Sequence, residues 1–143
     1  MKRNTLIQFA AVAGLLAVSG ASAFAQSLKA DVPFAFATPG GGQMPAGKIQ
    51  VTDTNSSSAV SAYSLWHVAT GKRVIALAPL SLSRPRNKKA EDAMLLFQCT
   101  EGSCALAGIY KSGEEVGHGM RIRTKPATAP ATQVAEVWIP LAE

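Results

Sequence analysis

From residue 27 onward the chain never sustains a helical period. It breaks into short apolar runs separated by turn residues, at spacings of roughly 10 to 15 residues. A chain punctuated in this way builds sheets. Residues 31–36 (DVPFAF) place Val32, Phe34 and Phe36 at alternate positions, so one strand should carry its rings on one face. Pro33 suits an edge or a strand start. Ile49 and Val51 point inward from KIQVT, and TNSSS is a polar loop. AVSAYSLWHV is the next strand, with Trp66 sharing the core face of Val60, Ala62 and Val68. RVIALAPLSL, apolar on both faces, predicts a buried strand bent near Pro79. SRPRNKKAED is a charged loop, SGEEVGHG a turn, and GMRIRTK an alternating strand. Residues 124–132, rich in Pro, Thr and Ala, should run extended, and QVAEVWIPL closes the chain. The expected fold is therefore all-β: a small antiparallel β-sandwich or barrel of about 7–8 strands.

Both cysteines lie in LLFQCTEGSCALAGIY, where Cys99 and Cys104 flank a four-residue polar loop containing glycine. The pattern predicts a β-hairpin whose strands are stapled across the turn. A redox site would instead use C-x-x-C at a helix start. A disulfide closing so small a loop contributes about 2 kcal/mol and belongs to an oxidising compartment.

The first 25 residues have the three parts of a helical signal peptide: Lys2 and Arg3, a mostly apolar run, then Ala23-Phe24-Ala25 as an A-x-A site. Cleavage after Ala25, with a cut after Ala23 at Ala21-Ser22-Ala23 as the alternative, leaves 118 of the 143 residues, a single all-β domain over 26–143. The apolar run is shorter than a bilayer span requires, and no later stretch is long enough to cross. The expectation is a periplasmic or secreted protein with no transmembrane segment in the mature chain. Loss of Lys2 and Arg3 lowers the formal charge from +5 to +3. That balance is too modest to imply nucleic acid as a partner.

From Gly42 the spacing G-x-x-x-x-G-K imitates the start of a phosphate-cradling loop. The chemistry is missing. Ile49 stands where a magnesium-binding Ser or Thr is needed, and the residues after Lys48 alternate as a strand rather than opening a helix. Residues 40–47 read better as a wide hairpin turn.

The same region carries a resemblance. Pro33, Phe34 and Phe36, followed by Pro45, Ala46, Gly47 and Val51, resemble the opening of a family of small exported bacterial proteins of unknown function. Mature chains of that family begin P-F-x-F, then continue after about ten residues with L-P-A-G-x-Y-x-V. Met44 stands here for the Leu and Ile49 for the Tyr. LLFQC and AEVWIP sit where such proteins carry a strand ending in Phe and a final E-x-W-like segment. The specific match covers about 20 of the 118 mature residues. It implies export and an all-β fold, and brings no activity or catalytic residue with it.

Candidate chemistry is sparse. His67 and His118 lack the close-pair spacing of a zinc site, and no serine elbow is present. Adjacent Glu114 and Glu115 would point to opposite faces of a strand, so they do not form a glycosidase pair. The expectation is no catalysis, no metal and no cofactor. His67 should lie on a strand face beside Trp66, and His118 should cap a glycine turn. Arg84, Arg86, Lys88 and Lys89 share one loop, and Arg121, Arg123 and Lys125 line one strand face. A solvated surface accounts for such clusters. Brought together, these residues and an outward Trp138 would form a patch for a polyanion such as an acidic polysaccharide. The functional expectation is a non-catalytic binding or structural module of the cell envelope, with an envelope protein or a polysaccharide as partner; the alternatives are a polyanion binder using the basic patch and, after it, an enzyme of unrecognised type.

Overall fold

The computed structural model describes residues 27–55, 60–122 and 134–143; the segment expected to be a signal peptide, Arg123, Lys125 and the Pro/Thr/Ala stretch lie outside these. Among the described residues there is no helix, and eleven strands form two sheets. The smaller sheet runs in the order β1 (Ser27–Val32), β4 (Gly47–Asn55), β5 (Ser61–His67), β6 (Arg73–Ala78), antiparallel throughout. The larger is ordered β11 (Ala135–Pro140), β8 (Met94–Thr100), β9 (Ser103–Tyr110), β10 (Val116–Gly119), β7 (Leu80–Ser83). Two short strands, β2 (Phe36–Ala37) and β3 (Gln43–Met44), form a hairpin whose first strand lies parallel to the start of β9.

The all-β expectation holds, with more strands and shorter ones than the sequence pattern suggested. Pro33 ends β1 instead of starting a strand, so the DVPFAF run splits into β1 and β2. Phe34 and Phe36 still meet, because both set their edges against Phe97, at centroid distances of 5.2 and 4.9 Å. Each such contact adds about 1 kcal/mol to the area it buries. Pro79 breaks the next run into β6 in one sheet and β7 in the other, so the chain changes sheets across a single residue. Both are outer strands. Ile75 and Leu77 are exposed where a buried strand was expected. The GMRIRTK strand does not form at Met120–Ile122; the pairing residues come earlier, in the segment expected to turn.

The core lies between the sheets. Val32, Ile49, Tyr63 and Leu65 from one side meet Phe36, Leu95, Phe97 and Ile109 from the other. On β5 the inward set is Tyr63, Leu65 and His67, which corrects the expected face: Trp66 and Val68 look outward. His67 is buried because its ring is fully satisfied. Its Nε2 donates to the Ala46 carbonyl at 3.0 Å, while Nδ1 accepts from Thr70, 2.8 Å from Oγ1 and 3.2 Å from the backbone N–H. Gly47 makes room for that ring. A Cβ there would come within 2.9 Å of Nε2, and its φ of +135° suits glycine alone. Strand β4 begins at this glycine, so no helix dipole follows Lys48.

The Cys99–Cys104 disulfide forms as expected, joining directly opposed residues of β8 and β9. The first and last strands also meet. Lys29 and Ala142 exchange two backbone hydrogen bonds of 2.7 and 2.9 Å, fastening the edge of the smaller sheet to the segment that follows β11.

Candidate functional site

The outer face of the larger sheet is not a plain polar surface. The β8–β9 register slips between Leu96 and Phe97, leaving Ala107 as an extra residue. A bulge of this kind re-aims the side chains beyond it. Leu106 and Ile109 face the main core, whereas Ala107 and Tyr110 face outward. Opposite them, glycines clear the sheet. A Cβ at Gly117 would fall 2.4 Å from the Tyr110 ring, and one at Gly119 would fall 2.7 Å from Leu82. Tyr110 and Leu82 therefore lie flat across the strands. With Leu96, Ala107, Ile122 and Trp138 they make a second apolar cluster outside the sandwich.

A groove of about 630 Å³ opens over this cluster, within the ordinary range for ligand sites. Leu82, Leu96, Met120 and Ile122 line it as apolar walls, with Tyr110 and Trp138 beside them. Gln98, Arg121 and Glu136 supply its polar groups. The two aromatic rings contact each other at 5.2 Å and 49°. Each carries a cation: Lys88 Nζ lies 5.4 Å from the Trp138 ring, and the Arg84 guanidinium 5.3 Å from Tyr110. The Tyr110 hydroxyl donates to the Ser83 carbonyl at 3.3 Å. Burial, then the Glu136 carboxylate, raise its pKa, partly opposed by Arg84.

Of the eight residues singled out for ligand binding, the six that are described lie in different surroundings. Arg121 and Trp138 line the groove, and Lys88 lies over the Trp138 ring without lining the groove itself. Arg84 is committed elsewhere. Its Nε donates to Glu114 O at 3.0 Å, Nη1 to Lys89 O and Asp92 O at 2.6 and 2.8 Å, and Nη2 to Lys111 O at 2.9 Å. It clamps the charged loop to the β9–β10 turn, leaving little of its fork for a ligand. Arg86 and Lys89 are exposed on the loop. Arg123 and Lys125 fall outside the described residues. Trp138 faces away from Val137 and Ile139, as the alternation predicted.

Tyr110, Leu82 and the paired glycines were missed. The available signal was G-H-G at residues 117–119: two glycines on one face of a strand mark a close approach of something bulky.

A second polar constellation closes one end of the sandwich. Lys111 Nζ lies 2.8 Å from Asp53 Oδ2 and 3.5 Å from Glu114 Oε1. Glu114 Oε2 accepts from His118 Nε2 at 3.0 Å, and His118 Nδ1 lies 2.9 Å from Ser61 Oγ. With Nε2 donating to the carboxylate, Nδ1 is left to accept the serine proton. His118 thus sits within β10 and links the two sheets, which corrects its expected place as a turn cap. Burial lowers the Lys111 pKa, but bonding to Asp53 and the nearby Glu114 charge outweigh it and the net direction is up. Tyr63 lies beside His118, with ring centroids 5.8 Å apart, and its buried hydroxyl has no hydrogen-bond partner. Burial, reinforced by Asp53 and Glu114, drives its pKa far upward. The order serine, imidazole, carboxylate is that of a nucleophile, its base and its orienter. Here it forms part of a strut running from β4 and β5 to the β9–β10 turn, away from the groove.

Among the described residues no three His, Cys, Asp or Glu side chains gather as a metal site, and no helix is long and apolar enough to cross a membrane. Fold and groove together define a two-sheet β-domain with a disulfide-stapled hairpin and an external apolar trough. No protein-family model, curated protein or solved structure matches the chain.

Proposed function

We propose that this chain is an exported, non-catalytic binding module of the cell envelope, holding an envelope protein against the groove on its larger sheet. One observation carries the reading. Segments distant in sequence, around residues 80–85, 96–98, 120–122 and 136–138, converge on an apolar trough lined by Arg121 and by Trp138, whose ring carries Lys88. Solvated sheet faces have no need of glycines cleared beneath a tyrosine. Export is supported by the signal-peptide pattern, and the disulfide is compatible with an oxidising compartment.

The test is a photo-crosslinking residue at Gln98 in living cells, followed by mass spectrometry. One stoichiometric envelope protein is the expected product, and its capture should fall when Trp138 becomes Ala. Crosslinking spread evenly over abundant proteins, unchanged by that substitution, would remove the groove from consideration.

A second reading has its own support. Arg121 lines the groove and makes no ion pair among the described residues, and Lys88 lies over the Trp138 ring that shares the groove wall. An acidic polysaccharide would be held by this pair. Its binding would weaken steeply with salt, and the Lys88→Ala, Arg121→Ala double variant would flatten that dependence.

A further inference from the structure

Strand β6 is an outer edge with a consistent chemistry. His67 N–H donates to the Lys72 carbonyl at 2.8 Å, which makes His67 and Lys72 a hydrogen-bonded pair of the β5–β6 hairpin. In an antiparallel ladder such pairs recur at every second residue. The pairs Leu65–Val74, Tyr63–Ala76 and Ser61–Ala78 therefore exchange bonds. Arg73, Ile75 and Leu77 direct their N–H and C=O groups away from the sheet, along the open edge. Their side chains share the outer face, where Ile75 and Leu77 are 53 % and 55 % exposed. The other edges are blunted. The Ala142 clasp covers part of β1, β7 has four residues, and β11 ends in Pro140. Between Val74 and Ala78 there is no proline, charge or bulge, the devices that keep an edge from pairing.

We infer that β6 is a self-association surface, and that its occupant is β6 of a second copy of this chain, antiparallel, with Ile75 opposite Ile75. Identical strands pair isologously about a two-fold axis, and three features select the register. Centred on Ile75, each outward-bonding residue meets another: Ile75 with Ile75, Arg73 with Leu77, and Leu77 with Arg73. Centred on Leu77 or on Ala76, Ile75 or Arg73 respectively would face Pro79, which has no N–H to give. Centred on Val74, Leu77 would face Gly71 in the turn beyond the strand. Centred on Arg73, two guanidinium groups would lie directly opposed, which is unfavourable. In the Ile75 register, each arginine lies across from a leucine. The two four-stranded sheets become one of eight strands, and the Ile75 and Leu77 stripes merge on its outer face. A contact of two six-residue strands is at the low end of specific interfaces, so the dimer is a weak one.

Sedimentation equilibrium of the exported chain over a wide concentration range tests this. The expected result is a reversible monomer–dimer equilibrium, with Ile75→Lys raising the dissociation constant at least about tenfold. The unchanged thermal midpoint and circular dichroism of the dilute variant check that it still folds. Oxidation of an Ile75→Cys variant should join two copies readily, whereas Leu77→Cys, displaced from the axis, should join them poorly. A monomer at every concentration would overturn the inference. So would a dimer indifferent to Ile75→Lys, or a monomer that instead captures extended peptides of other proteins along β6. The groove lies on the other sheet, so its crosslinking result stands or falls separately.

Discussion

The two sheets each present an outward tryptophan, and the two faces are built differently. Trp66 lies on the smaller sheet with Arg73 5.9 Å from its ring and no aromatic neighbour within stacking range among the described residues. Trp138 has a cation of its own, but also Tyr110 alongside and an apolar cluster around it. A cation over a ring therefore says little about function. What separates the faces is the backbone beneath: a bulge at Ala107 and glycines at 117 and 119 on one side, and on the other regular β5–β6 pairing from Ser61 to Trp66, with the β4 bulge at Thr54 lying across from Ala62 and Tyr63 and not from Trp66.

The largest expected difference comes from truncating each ring. Trp138→Ala should cost about 3 kcal/mol in urea unfolding, and Trp66→Ala about 1 kcal/mol; equal losses would erase the distinction between the faces. Gly117→Ala comes next. Tyr110 must leave the sheet to admit the methyl group, at about 2 kcal/mol, and groove crosslinking should fall with it. Gly71→Ala, in the β5–β6 turn at φ +71° with no atom near its Cβ, should cost about 1 kcal/mol and leave the groove intact.

Arg84→Lys keeps the charge but cannot reproduce a planar fork reaching four carbonyls, so a loss of about 1.5 kcal/mol is expected. Were the residue merely a surface cation, lysine would serve equally well.

The smallest effect at neutral pH should come from Tyr63→Phe, which removes a buried hydroxyl that has no partner. At high pH the same substitution matters. The folded pKa of Tyr63 is raised above the ordinary 10.0, so its contribution is complete below pH 10 and is lost as pH rises beyond it. One such group contributes a slope of at most about 1.4 kcal/mol per pH unit. Tyr110 and Lys111, shifted the same way, add to the alkaline decline. Unfolding measured from pH 8 upward should show a shallower fall in Tyr63→Phe than in the parent chain.

Much of the architecture was legible because period-two alternation and turn residues are local signals. The hairpin at Cys99 and Cys104, the inward Ile49 and Val51, and the outward Trp138 all follow from them. Alternation divides a strand into two faces but does not say which is inside. On β5 that choice fell to Trp66, while Tyr63 and His67 took the core. The residues around Pro79 misled for a related reason: apolar on both faces, they resemble a central strand, yet here they form two outer ones. The groove was the least legible part. It depends on a one-residue slip between β8 and β9 and on which loop Arg84 clamps, both set by tertiary pairing.

The Lys29–Ala142 bridge has a consequence for the order of events in folding. Synthesis delivers the chain from its amino end, yet β1 is fastened by Ala142, a residue made long after it. The β8–β9 hairpin closes over a short stretch and can form early. The smaller sheet's β1 edge must wait for the tail. Until residue 142 arrives, Lys29 keeps an unsatisfied donor and acceptor, and the seam between the sheets stays unlatched on that side. A chain stalled or truncated just short of Ala142 would therefore hold all eleven described strands while lacking the contact that fastens β1.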